Sequence, residues 1–111
     1  MTLTGEGITV AVVDTGVYPH QDLEGRIRDF VDLVKQKTKP YDDNGHGTHC
    51  AGDVAGDGAA SGGLYKGPAP KANIIGVKVL NKQGAGSLST IIEGVEWCIQ
   101  FNEDHPDDPI H

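Results

Sequence analysis

The chain has 111 residues, enough for one small domain, with 37% hydrophobic residues, sixteen glycines and a formal net charge of −7. That acidic balance argues against a nucleic-acid binder, which carries a basic face, and no apolar run is long enough to span a membrane. Two cysteines, Cys50 and Cys98, are too few for a disulfide scaffold and read as free, buried thiols. Met1 to Gly7 lacks the basic start and apolar run of a signal peptide, so a cytoplasmic location is favoured over a secreted one.

Ile8 to Val13 is a nearly all-apolar, β-branched run and predicts a strand buried on both faces, ended by Asp14 and turned by Thr15-Gly16. Arg26 to Leu33 alternates with period two, setting Ile27, Asp29, Val31 and Leu33 against Arg28, Phe30 and Asp32. The apolar phase is muddled, and a weaker strand is expected. Lys35 to Asn44 is polar, contains Pro40 and reads as a surface loop. His46 to Val54, rich in small residues, predicts a helix starting at or just after Gly45. Gly56 to Gly67 reads as a flexible glycine-rich loop stopped by Pro68-Ala69-Pro70.

Ile74 to Leu80 predicts a second buried strand, and Asn81 to Gly86 another glycine-rich turn. Ser87 to about Glu103 carries the clearest helical pattern. Leu88, Ile91, Ile92, Val95, Cys98 and Ile99 form its expected core stripe, Ser87 is the N-cap, and His105-Pro106 ends it. Strands alternating with helices predict an α/β layered fold on a parallel sheet. Its sites then lie where strand carboxyl ends meet helix starts, which is where Asp14 and His46 fall.

Asp14 and His46 have complementary chemistry. A hydroxyl nucleophile needs a base near neutral pH, and imidazole, with an ordinary pKa of about 6.5, is suited to that task. A carboxylate accepting the hydrogen bond of the far ring nitrogen fixes the tautomer and stabilises the imidazolium. Asp14 fits the orienting role and His46 the base. Gly45 and Gly47 leave room for a substrate backbone, and Asn44 sits beside that space. Two alternatives stand at this level. Asp14 could be a turn carboxylate, and His46 with His49 could be metal ligands one helical turn apart.

The strand followed by Asp14-Thr15-Gly16-Val17, and then Gly45-His46-Gly47-Thr48-His49-Cys50-Ala51-Gly52, resembles the subtilisin superfamily of serine endopeptidases. The similarity runs from Ile8 to Leu23, Asn44 to Gly56 and Gly67 to Asn102, most nearly to bacterial alkaline serine proteases of intracellular type. Cys50 is similar to the cysteine of the thiol-containing, proteinase K-like members. The resemblance implies a partial, truncated three-layer α/β fold with a parallel sheet. Residues 1–111 would form the amino-terminal part of a catalytic domain.

By the same resemblance His46 is the catalytic histidine and His49 structural. Gly84, Ala85 and Gly86 form the segment that pairs with substrate backbone, and Leu88 and Ile91 line a side-chain pocket, their alternative being helix-core packing. Asp22 matches an aspartate that ligates structural calcium in the family, although the Gly56–Gly67 loop is longer here and lacks an evident set of carbonyl and Asn ligands. No cofactor is needed for the chemistry, and the partners implied are peptide or protein substrates.

Ser61, Ser87 and Ser89 all lie outside the Gly-Thr-Ser-x-Ala context of the family nucleophile. The chain by itself is therefore expected to be inactive. Its Asp14 strand, interior in the resembled fold, is expected to leave an apolar edge open to self-association. The competing reading is a non-catalytic regulatory or interaction module on the same fold.

Overall fold

A computed structural model describes residues 3–111. Three strands, β1 (Thr9–Asp14), β2 (Ile27–Asp32) and β3 (Asn73–Lys78), form a parallel sheet in the order β1-β3-β2. Two helices, α1 (His46–Ala55) and α2 (Leu88–Asp104), cover its opposite faces. On one face Ala51 and Ala55 of α1 pack with Val12, Val17, Leu23 and Ile74. On the other, Phe101, Ile91, Trp97 and Cys98 of α2 pack with Ile75, Val77 and Val79. The expected three-layer α/β arrangement is therefore present over this length. No helix among the described residues is long and apolar enough to cross a membrane.

β3 is the centre of the sheet because both neighbours pair with it and both helices cover it. Ile74, Ile75 and Val77 are wholly buried, each contributing roughly 2 kcal/mol of apolar burial. β1 is half-buried instead of buried on both faces: Thr9 and Val12 are sealed, while Val10, Ala11 and Val13 are only partly covered. The reason is position, since β1 is an edge strand here. That edge is engaged at its start, where the Thr9 amide donates to His111 Nδ1 and the His111 amide donates to the Thr9 carbonyl.

The muddled phase of β2 has a structural cause. Ile27 pairs with Ile74, but the next registered pair is Asp29 with Ile75, so Arg28 is an extra residue in the ladder. The irregularity switches faces. Ile27 packs on the α1 side and Val31 and Leu33 on the α2 side. The displaced Arg28 bonds the Thr9 hydroxyl and Asp108 and lies over the Phe101 ring.

The α2 expectation needs the largest correction. Its buried residues are Gly94 and Phe101, with Ile91, Trp97 and Cys98 beside them. A Cβ at Gly94 would press on the Val79 side chain, so helix and sheet approach closely there. Leu88, Ile92, Val95 and Ile99, four of the six residues of the expected core stripe, face solvent at 73, 46, 50 and 56% exposure. Cys50 and Cys98 are free but only half-buried. The Gly56–Gly67 loop is built rather than slack. A 3-10 turn spans Ala59–Ser61, and a second such turn, unforeseen from sequence, spans Gln21–Leu23.

Candidate active site

All three strands end on charged residues at one level: Asp14 is registered with Lys78, and Lys78 with Asp32. From this end of the sheet the chain turns through Thr15 and Gly16 and meets the start of α1. Gly16 adopts φ 129°, and a Cβ there would collide with the Tyr41 carbonyl; a Cβ at Gly47 would collide with the Gly16 carbonyl. These two glycines let the Asp14 turn and the His46 helix touch backbone to backbone.

The first amides of α1 have no partners inside the helix and are met by side chains. The amide of His46 donates to Asn44 Oδ1, that of Gly47 to Thr15 Oγ1, and that of Thr48 to Asp42 Oδ2. Asp42 also accepts from the Thr15 and Thr48 hydroxyls and from the amides of Asn44 and Gly45. Burial works to raise the Asp42 pKa, but the hydrogen bonds from Gly45, Thr48 and Asn44 outweigh it and hold the carboxyl at about 2. A carboxylate at a helix N-terminus is further favoured by the helix dipole.

On this frame His46 Nδ1 lies 2.9 Å from both Asp14 oxygens, and the Thr15 amide donates to Asp14 Oδ1 at 2.7 Å. The Asp14 side chain is 16% exposed and that of His46 64% exposed, so the carboxylate is set in and the imidazole looks outward. The Asp14 hydrogen bond and charge raise the His46 pKa above its ordinary 6.5, with a smaller contribution from Asp42. His49, by contrast, faces Asp53 at 3.3 Å and is 77% exposed. The two histidines thus serve different carboxylates and share no ligand cluster among the described residues.

Cys50, one turn beyond His46, has its sulfur 3.7 Å from His46 Nδ1. Burial, with Asp14 and Asp53 nearby, pushes this thiol up, away from thiolate reactivity. Asp14, His46 and Cys50 form the one group of three potential ligands found among the described residues, all within 4.8 Å. Two of the three are already bonded to each other. Asp22 ties down the glycine-rich loop, accepting from the Ala60 amide at Oδ1 and from the Asp57 amide at its carbonyl.

Asn44 links the histidine to the expected substrate segment. Its Nδ2 donates to the Lys82 carbonyl, and it is the nearest group to the open side of Gly84. Gly84, Ala85 and Gly86 are exposed and not strand-paired. Both backbone groups of Ala85 are held by Asn81, whereas the Gly84 carbonyl and Gly86 amide have no hydrogen bond among the described residues. Leu88 stands free at the start of α2, while Ile91 packs against the β3 cluster, so the structure separates the two expected pocket residues. Ser61 is bonded within its own loop, Ser87 caps α2, and Ser89 bonds Ser87; none is bonded to His46.

Sequence reasoning missed Asp42, Thr15 and Thr48, which position the histidine, and the buried Lys78. An Asp-Asp-Asn-Gly run just ahead of a helix is a capping signal. A lysine inside an apolar strand signals a paired buried charge.

Residues 5–108 match the family model described as "Subtilase family". The chain is 77% identical over 109 residues to serine protease AprX of Bacillus subtilis (strain 168), covering 98% of this chain and 25% of that protein. It is 46% identical to subtilisin Savinase of Lederbergia lenta over 86% of this chain and 34% of that protein. Among solved structures it is similar to a cold adapted subtilisin-like serine proteinase, with TM-score 0.78, 39% identity, and coverage of 88% of this chain and 34% of the other. The chain thus spans about a quarter to a third of the length of these relatives.

Proposed function

The chain belongs to the subtilase family, and from that premise we propose that the whole protein is a serine endopeptidase acting on peptide or protein substrates, with Asp14 and His46 as two members of its triad. The observation that carries this is the His46 Nδ1 contact with both Asp14 oxygens at 2.9 Å beneath an outward-facing ring. A serine from outside these 111 residues attacks the scissile carbonyl. His46 Nε2 takes the serine proton and later returns it to the leaving amine, while Asp14 holds the proton-bearing Nδ1 and stabilises the imidazolium. The free Gly84 carbonyl and Gly86 amide pair with substrate backbone as an added strand, and Leu88 contacts a substrate side chain.

Covalent labelling by a fluorophosphonate probe tests this reading. The whole protein is expected to label and the 111-residue chain not to. Absence of labelling in the whole protein would favour a non-catalytic module on the same fold. The free thiols Cys50 and Cys98 support a cytoplasmic location; recovery of the protein from the culture medium would oppose it. The apolar outer face of α2 and the partly open β1 edge support self-association of the isolated chain, checked by analytical ultracentrifugation.

A further inference from the structure

We infer that Lys78 is a positioning residue of the proposed active site, a buried cation that ties the Asp14 turn, the loop before His46 and the root of the substrate segment to one point. This inference rests on the endopeptidase reading for its kinetic consequences, but not for its geometry.

The Lys78 side chain is wholly buried. Its ammonium donates to the Thr15 carbonyl at 2.6 Å, the Leu80 carbonyl at 2.7 Å and Asp43 Oδ1 at 2.8 Å. Three acceptors match the three donors of a lysine ammonium. The face of the Tyr41 ring lies 5.3 Å from the same nitrogen. Each acceptor belongs to a different functional segment. Thr15 follows Asp14 and donates its amide to the Asp14 carboxylate. Asp43 precedes Asn44, whose side chain caps the His46 amide. Leu80 precedes Asn81, which folds the Ala85 turn, and the Leu80 amide also bonds the Asp14 carbonyl.

A neutral or shorter side chain could not hold three separate backbone segments at once. The second oxygen of Asp43 has no hydrogen bond among the described residues and lies 3.8 Å from the Lys35 ammonium, so this carboxylate is held by cations. Asp43 has a lowered pKa, first through its Lys78 hydrogen bond and also through the charges of Lys78 and Lys35. Asp14 itself is not a partner of Lys78, although the two are registered across the sheet. The lysine acts on the carboxylate through the Thr15 peptide.

The test uses the whole protein. Lys78→Met alone strands a buried carboxylate and could fail to fold; Lys78→Met combined with Asp43→Asn removes both charges and the tie together. For this double variant kcat/KM is expected to fall about 10- to 100-fold, the scale of a small misplacement of reacting groups, with kcat lowered and KM raised. The His46 pKa, followed by NMR, is expected to drop toward 6.5. A second pair guards against misfolding: Asp43→Asn keeps an oxygen for the ammonium and Asp43→Ala does not, so the Asn variant should retain activity that the Ala variant loses. Folded variants with unchanged kcat, KM and His46 pKa, or Asn and Ala variants that behave alike, would overturn the role of Lys78. A parent that no fluorophosphonate labels overturns the endopeptidase reading instead, and the His46 titration still decides the role of the lysine.

Discussion

The two helices cover opposite faces of one sheet but relate to it differently. α1 buries Gly47, Ala51 and Ala55, residues without bulk, and touches the Asp14 turn through backbone. Its N-terminal amides all find partners within the chain. α2 buries Gly94 and Phe101 and leaves Leu88, Ile92, Val95 and Ile99 in solvent. The α1 face is closed and carries the site; α2 has an apolar stripe wider than the part that meets the sheet, interleaved on its outer side with the exposed Glu93, Glu96 and Gln100. Close packing thus concentrates where a histidine must be held to a fraction of an ångström. The outer side of α2 is an exposed apolar stripe rather than part of the core of these residues.

The largest expected effect tests whether the closed face is there for chemistry. In the whole protein, Asp14→Asn should lower kcat/KM on the order of 10⁴-fold, the magnitude typical when a triad loses its orienting carboxylate. His46 must be neutral to act as base, and Asp14 raises its pKa, so the acid limb of the pH profile should lie above 6.5 in the parent and move down in the variant. A limb that does not move would separate the His46–Asp14 contact from the reaction. The linked stability has the same sign. Folded His46 keeps its proton between pH 6.5 and its raised value, so this contribution is present at lower pH and disappears as pH rises through that window.

Next in size is Gly47→Ala. The added methyl meets the Gly16 backbone, which cannot swing aside as a side chain can, and a loss of about 1–3 kcal/mol is expected by chemical denaturation. A silent Gly47→Ala would break the contrast between the helices. Asp42→Ala removes the carboxylate that organises the start of α1 and should cost about 2 kcal/mol. Because folded Asp42 titrates at about 2, below the ordinary 3.8, the parent should lose this contribution as pH falls from about 4 toward 2. The Ala variant should lack that part of the acid transition.

The smallest effect sharpens the other side of the comparison. Ile92→Gln or Ile99→Gln on the outer stripe should change the stability of the 111-residue chain by less than about 0.5 kcal/mol while reducing its self-association. A loss above 1 kcal/mol would show that the outer stripe is core after all.

Much of the architecture is legible in the chain itself. β-branched runs specify β1 and β3, small residues after Gly45 specify α1, and Ser87 with His105-Pro106 brackets α2, because these signals are local and have periods of two or 3.6 residues. The spacing of Asp14 and His46 on a strand end and a helix start also named the chemistry that their contact supports. Other features are invisible locally. The face switch in β2 depends on one residue inserted against β3, and the inward side of α2 depends on which part of an over-wide apolar surface meets the sheet. Only the tertiary structure could bring Thr15, Asp43 and Leu80 onto one lysine or set Asp42 under the start of α1. Those contacts join residues up to 63 positions apart. Sequence periodicity carries no distance of that kind; it is set when three parallel strands align their carboxyl ends and bring their loops together.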